Sequence, residues 1–265
     1  MMKNLTNKNQ NKKIIKSLDN FKFPKNSIFF LHTDLTNYFP SSIKWNEKCS
    51  SLYELLNLYF KNHTLVVPTF TYSFCKNGIF NKDNSNSEVG IFTEYFRNQR
   101  NVIRSNHPIF SVSSKGPNSQ LFTDNLSNSS TGNGSIFERL KVFDAYILFI
   151  GAKFIESCTF LHYIEQCQKI EYRYSKYFKG RVIEKNKTTN GNWEFFVRNT
   201  ELYKFKKWNK FPKIERDLIK NNILKSKKIS NLEISYCSSR LLFNFVSQKL
   251  KKDTYYILGQ KPNRL

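Results

Sequence analysis

Four histidines are the natural place to look for acid–base chemistry in this 265-residue chain, because imidazole titrates near neutral pH without help. His162 is the strongest candidate. It lies three residues after Thr159 and three before Glu165, so the three share a face if the segment is helical. A carboxylate beside an imidazole fixes which ring nitrogen holds the proton and leaves the other as a general base. That spacing also arises by chance in many helices, so the pair alone is weak evidence. His107 precedes Pro108 in a tight turn, where a structural role and a site role fit equally well. His32 ends an apolar run and suits a hydrogen-bonded core residue better than a catalyst; His63 receives no assignment. Cys158, four residues before His162, invites a nucleophile reading. Groups one turn apart seldom reach attack geometry, however, and buried cysteine is common packing. The dinucleotide, P-loop, zincin and α/β-hydrolase fingerprints are absent.

Elements must hold these groups in place. The runs Ile28-Phe29-Phe30-Leu31-His32, Thr64-Leu65-Val66-Val67-Pro68 and Ala145-Tyr146-Ile147-Leu148-Phe149-Ile150 read as buried strands. Between the first two, residues 51–60 place Leu52, Leu55, Leu56 and Tyr59 on one helical face. Strand, turn, helix, strand opens an α/β domain with a buried sheet. Further expectations are a loop over 81–90, a helix over 91–99 buried through Ile91, Tyr95 and Phe96, and a turn over 104–108. A strand over 109–114, a loop over 125–135 and a short helix over 136–140 follow. A helix starting near Thr159, its hydroxyl acting as cap, carries His162. Beyond Glu171 come shorter strands with a turn at Asn190-Gly191, then helices from Lys213 and Ser238. Residues 1–20 read as a polar arm with one helical turn around Ile14 and Ile15, and 21–265 as a single domain.

Composition narrows the class. Hydrophobic residues make up 39% and aromatics 16%, enough for a real core, which excludes disorder for most of the chain. No apolar stretch reaches membrane-spanning length, and the N-terminus lacks the apolar centre of a signal peptide. Five cysteines form no C-x-x-C pair, so a disulfide framework and a structural zinc site are disfavoured and the cytoplasm is the expected compartment. The net charge of +23 is uneven: +7 through Gln168 and +16 from Lys169 onward. A field of that sign gathers anions.

The ordered segments resemble one family. Phe30-Leu31-His32-Thr33-Asp34-Leu35, Thr64 to Thr71, Ser87-Glu88-Val89-Gly90, Arg104-Ser105-Asn106-His107-Pro108 with Ser111-Val112, Gly134 to Leu140, and Ile150-Gly151 with Thr159 to Glu165 are similar to successive motifs of the aminoglycoside 3-N-acetyltransferases. The resemblance covers about residues 27 to 200. It implies an α/β fold with a central mixed sheet flanked by helices, distinct from the GNAT acetyltransferases, and no metal. It also implies a ternary complex in which an amino sugar attacks an acyl-CoA. His162 then matches the family's base, with Glu165 orienting it and Thr159, or an amide near Ser111 and Val112, facing the oxyanion. Thr33, Asp34, Leu35 and Thr36 match the coenzyme loop, with Ser105, Ser111 and Val112 assigned to the same ligand. Asp34 stands where a serine is usual. Tyr72, His107 and Arg198 are assigned to the acceptor.

One departure bears on the acceptor. Where relatives run acidic after the Trp-Glu pair, this chain has Trp193-Glu194-Phe195-Phe196 followed by Val197-Arg198-Asn199-Thr200, then Lys204, Lys206, Lys207 and Lys210. Such a site repels a polyamine drug and attracts a diphosphate, so the expected acceptor is a nucleotide-linked amino sugar of surface polysaccharide synthesis. Alternatives are an aminoglycoside acceptor and, from another class, a nucleic-acid binder. The last has matching composition but no motif, so nucleic acid is the disfavoured partner. A homo-oligomer is left open.

Overall fold

The three apolar runs form adjacent parallel strands. In the computed structural model, which describes every residue except 1, 37–40 and 206–211, helix α1 (Met2–Asp19) leads into β1 (Ile28–Thr33), α2 (Trp45–Tyr59) and β2 (Thr64–Pro68). Next come α3 (Phe74–Asn77), β3 (Ile79–Asn81), α4 (Ile91–Arg97), β4 (Ile103–Arg104), β5 (Val112–Lys115) and α5 (Gln120–Thr123). The middle holds α6 (Ile136–Val142), β6 (Tyr146–Ile150), α7 (Phe154–Ser157) and α8 (Phe160–Cys167). After them run β7 (Arg173–Glu184), β8 (Lys187–Arg198), β9 (Tyr203–Lys204) and α9 (Pro212–Lys220). The chain closes with β10 (Lys225–Ile229), β11 (Leu232–Ser238), α10 (Ser239–Lys252) and β12 (Asn263–Arg264).

Seven strands make the main sheet in the order β10-β11-β6-β1-β2-β5-β4. β6, β1 and β2 are mutually parallel, whereas β11 and β5 join antiparallel on either side, so the sheet is mixed. Both faces are covered, which is why the central strands read as unbroken apolar runs rather than alternating ones. One face packs Phe30, Val66, Ile147 and Phe149 with α6, α8 and α10; the other packs Phe29, Leu31, Val67 and Leu148 with α1, α2 and α4. A second sheet, β3-β7-β8, is dominated by one long hairpin.

The N-terminal arm is a helix, held by Ile14 and Leu18, which lie one turn apart and are fully buried. Arg104, expected in a turn, is the end of β4, and the strand expected over 109–114 begins only at Val112. In α4 the buried face is Phe92, Thr93 and Phe96, while Ile91 stands out into solvent. The first two strands beyond Glu171 are twelve residues each rather than short, the later ones being short as expected, and Asn190-Gly191 is mid-strand. The turn is Lys185-Asn186, with Lys185 at φ 52. Gly191 faces Gly180 across the ladder and lies under the Trp193 ring, where a Cβ would come within 2.8 Å of the indole. Its glycine therefore serves packing and not a turn.

Candidate active site

Because β1, β2 and β6 are parallel, their carboxyl ends at Thr33, Pro68 and Ile150 open on the same side, where sites of open α/β sheets gather. Three cavities of about 230, 300 and 390 Å³ lie there. The first is lined by Cys158, Thr159, Leu161 and His162; the second by His32, Phe70, Tyr72 and Thr159. The third is lined by Thr33, Asp34, Leu35, Gly90 and Lys153. Glu156 and Ser157 of α7 border all three, so one short helix forms a common wall from His162 to the Thr33–Asp34 turn.

His162 and Glu165 sit one turn apart on α8, as their spacing requires. His162 Nδ1 is 2.8 Å from Glu165 Oε2, and its side chain is 23% exposed while that of Glu165 is wholly buried. Burial alone would raise the Glu165 pKa. Arg173 Nε, 2.9 Å from Oε2, together with His162 and the Tyr172 hydroxyl, reverses that and holds it below the ordinary carboxylate range. The carboxylate is therefore charged and can only accept. With Glu165 as its partner Nδ1 carries the proton, and Nε2, to which no group among the described residues hydrogen-bonds, presents its lone pair; Arg173 Nη2 also lies 3.1 Å from Nδ1. Burial first, then the cations Arg173 and Arg198, push the His162 pKa below 6.5, so the imidazole is neutral at pH 7 despite the carboxylate beside it.

The other expected residues divide. Thr159 occupies the cap position of α8, but its hydroxyl caps nothing: the residue has helical angles, and Oγ1 is buried without a partner among the described residues. It borders the first and second cavities. Thr33, Asp34 and Leu35 line the third cavity, and Asp34 Oδ1 accepts from the Thr36 amide at 2.8 Å, which tightens the turn. Tyr72 lines the second cavity, stacked on Phe195. Arg198 packs its guanidinium over Phe205 and lies near enough to affect His162.

Ser105, Ser111, Val112 and His107 line none of these cavities. Ser105 Oγ accepts from the Val112 amide at 3.0 Å; Ser111 Oγ donates to the Thr69 carbonyl and accepts from Arg104. Arg104 is itself buried and donates to the Thr69 carbonyl and the Thr71 hydroxyl as well. His107 Nδ1 accepts from the amides of Ile109 and Phe110, a turn-closing arrangement, and burial lowers its pKa to about 4. His32, expected as a satisfied core residue, is buried and stacked on Phe149, but it also lines the second cavity and its Nε2 has no partner among the described residues. Lys206, Lys207 and Lys210 lie outside the described residues.

Sequence reasoning missed Tyr172 and Arg173, which reach the dyad from the start of the hairpin. It also missed Glu194, which accepts from Gln166 at 2.8 Å and from the Ser175 hydroxyl. The clue available was the Glu171-Tyr172-Arg173 cluster a few residues past α8.

The aminoglycoside 3-N-acetyltransferase family model matches residues 41–251. The chain belongs to that family, and is an acyl-CoA-dependent N-acetyltransferase with acyl-CoA as cosubstrate. Solved structures share its fold. AAC-VIa bound to sisomicin superposes with a TM-score of 0.76 at 16% identity, covering 91% of this chain and 97% of that one. AAC-IIIb with CoASH gives 0.74 at 15%, covering 91% and 96%. The YokD protein from Bacillus subtilis gives 0.72 at 18%, covering 92% and 94%. No curated protein matches the sequence. Among the described residues no helix is long and apolar enough to cross a membrane, and no group of three His, Cys, Asp or Glu side chains could hold a metal ion.

Proposed function

We propose that the chain acylates the amino group of a sugar, with His162 as the general base. The observation that carries this is the charged Glu165 carboxylate 2.8 Å from His162 Nδ1, which leaves Nε2 unprotonated at the edge of the cleft. The amine nitrogen attacks the thioester carbonyl carbon while its proton passes to Nε2. The tetrahedral oxyanion then collapses, the carbon–sulfur bond breaks, and the departing thiolate takes the proton from His162. An amide and free coenzyme A result. The Thr159 hydroxyl, buried beside His162 and without a partner among the described residues, is suited to donate to the oxyanion. The coenzyme's phosphates are assigned to the Thr33–Thr36 turn and its acyl end to the cavity at His162, and the enzyme to the cytoplasm where acyl-CoA is made.

The acceptor we favour is a nucleotide-linked amino sugar. Two guanidinium groups, Arg173 and Arg198, act on the base beside the Glu165 carboxylate, and the segment after Glu194 carries no acid through Thr200. A diphosphate is attracted to such surroundings and a polyamine is repelled. Glu156 is the observation on the other side: it walls all three cavities and would suit a cationic drug such as the sisomicin of the AAC-VIa structure. Lys153 already pairs with it at 3.2 Å. Thiol release from acetyl-CoA, followed across nucleotide amino sugars and aminoglycosides, tests both. Turnover confined to aminoglycosides would remove the nucleotide sugar, and no thiol release with any amine would remove the acyltransfer reading.

A further inference from the structure

Two hydrogen bonds compete for one nitrogen of His162. Nδ1 lies 2.8 Å from Glu165 Oε2, which can only accept, and 3.1 Å from Arg173 Nη2, which can only donate. If the first is made, Nδ1 is protonated and Nε2 is a base. If the second is made, the proton sits on Nε2 and the base is lost. The outcome depends on whether the Glu165 carboxylate stays turned towards Nδ1.

We infer that Tyr172 is the positioning residue that sets the tautomer of His162, by holding the far oxygen of Glu165. Its hydroxyl donates to Oε1 at 2.7 Å while Oε2 faces His162 Nδ1 and Arg173 Nε, so each oxygen has its own partners and rotation about the last bond is opposed. Tyr172 is itself fully buried, stacked at 6.0 Å on the Tyr255 ring and edge-on to Phe205, which keeps the hydroxyl on target. Burial, then the adjacent carboxylate, raises its pKa, so it remains a donor across the working pH range. Arg173, next in sequence, pairs with Oε2 through Nε, is anchored by its bond from Nη1 to the Phe196 carbonyl at 3.0 Å, and holds Nη2 beside Nδ1. The charged groups acting on the imidazole are Glu165 on its own helix, Arg173 on β7 and Arg198 on β8.

The inference rests on His162 being the base, but it is read in the free protein. Ring ¹⁵N shifts of His162 should report the Nδ1–H tautomer in the wild type. In Tyr172→Phe, which keeps the ring, the Nε2–H tautomer should appear. The kcat for acyl transfer should fall about ten- to a hundredfold, the range expected for losing one hydrogen bond to a charged group, with the KM values within about twofold. An unchanged tautomer and kcat in a folded Tyr172→Phe would overturn the inference. A second variant guards against misfolding: 3-fluorotyrosine placed at position 172 retains the hydroxyl, and its ¹⁹F resonance should titrate with the His162 midpoint. A flat ¹⁹F response would also overturn it. Because both spectroscopic readings need no substrate, absence of acyl transfer would remove the proposed function and leave the tautomer result standing.

Discussion

Gly151 and Asp34 meet backbone against backbone: a Cβ on Gly151 would stand 2.1 Å from the Asp34 carbonyl oxygen. The Asp34 amide donates to the Ile150 carbonyl at 3.0 Å and the Gly151 amide to Glu233 at 2.8 Å, so the end of β6 and the turn after β1 are fastened together. Gly151 also has φ +75, a conformation that costs other residues about 1–3 kcal/mol before any clash. Gly151→Ala should therefore lose at least that much stability in urea unfolding. The displaced Asp34 turn should weaken acetyl-CoA binding in calorimetry more than acceptor binding.

His162→Asn should keep the fold and lose about 10²–10⁴-fold in turnover, the usual contribution of a general base. The cavity-lining Cys158, whose thiol burial pushes up to about 12, should be replaceable by Ala or Ser with turnover within about tenfold. Thiol-release kinetics on both variants decide between base and nucleophile. An inert Cys158→Ala beside an active His162→Asn would reverse the assignment.

Arg198 touches charge in two ways. Burial and then Arg173 lower its own pKa to about 10, leaving it a cation at neutral pH, and that cation depresses the His162 pKa. Arg198→Gln should raise the KM for an anionic acceptor while kcat changes less. The acid limb of kcat/KM should move to higher pH, because a positive charge that opposed protonation of His162 is gone. For the wild type, turnover at low acceptor concentration should fall as salt shortens the Debye length to about 8 Å. A salt-independent KM would remove the electrostatic account of acceptor choice.

Acid should destabilise the protein in a defined window. Burial lowers the pKa of His32 to about 3 and, as the largest cause, that of His107 to about 4, against 6.5 for a free imidazole. Between those values the unfolded chain binds protons that the folded chain refuses, so stability falls as pH drops from about 6.5 towards 4 and is retained above 6.5. The drop for His107 alone corresponds to about 3 kcal/mol. His107→Asn keeps an acceptor for the Ile109 and Phe110 amides but cannot titrate, and should flatten the pH dependence of the urea midpoint over that range. An unchanged slope would mean His107 is protonated in the folded state.

The sequence carried what is local. Unbroken apolar runs such as Ile147 to Ile150 announce strands covered on both faces, and the i, i+3 spacing of His162 and Glu165 puts them on one face once a helix is granted. Pairing is not local: nothing in residues 232–238 says they lie antiparallel beside β6. The Asn190-Gly191 dipeptide carries the strongest short hairpin signal, yet the turn falls at Lys185-Asn186 and Gly191 lies bare beneath Trp193 instead. Ser105, Ser111 and His107 looked available because they are polar. The fold surrounds them with the buried Arg104 and with orphan turn amides, partners that only tertiary structure supplies. Tyr172 escaped notice for the converse reason, since an aromatic residue among many reads as core until its hydroxyl is seen against a carboxylate.

The long hairpin meets the dyad only at its root. Arg173 and Arg198 are the first and last residues of the ladder and face each other beside His162, while the tip at Lys185-Asn186 lies about 40 Å of extended strand away along β7. The outer part is bound elsewhere, since Arg181, Val182 and Ile183 pair with β3 and Gly180 lies against the Gly78 carbonyl. An exchange of the outer part with that of a relative would have to take β3 with it to leave Tyr172, Arg173 and Arg198 in register. Arg198, the hairpin residue assigned to the acceptor, stays at the root with Arg173, so such an exchange would carry the charges around His162 through unchanged.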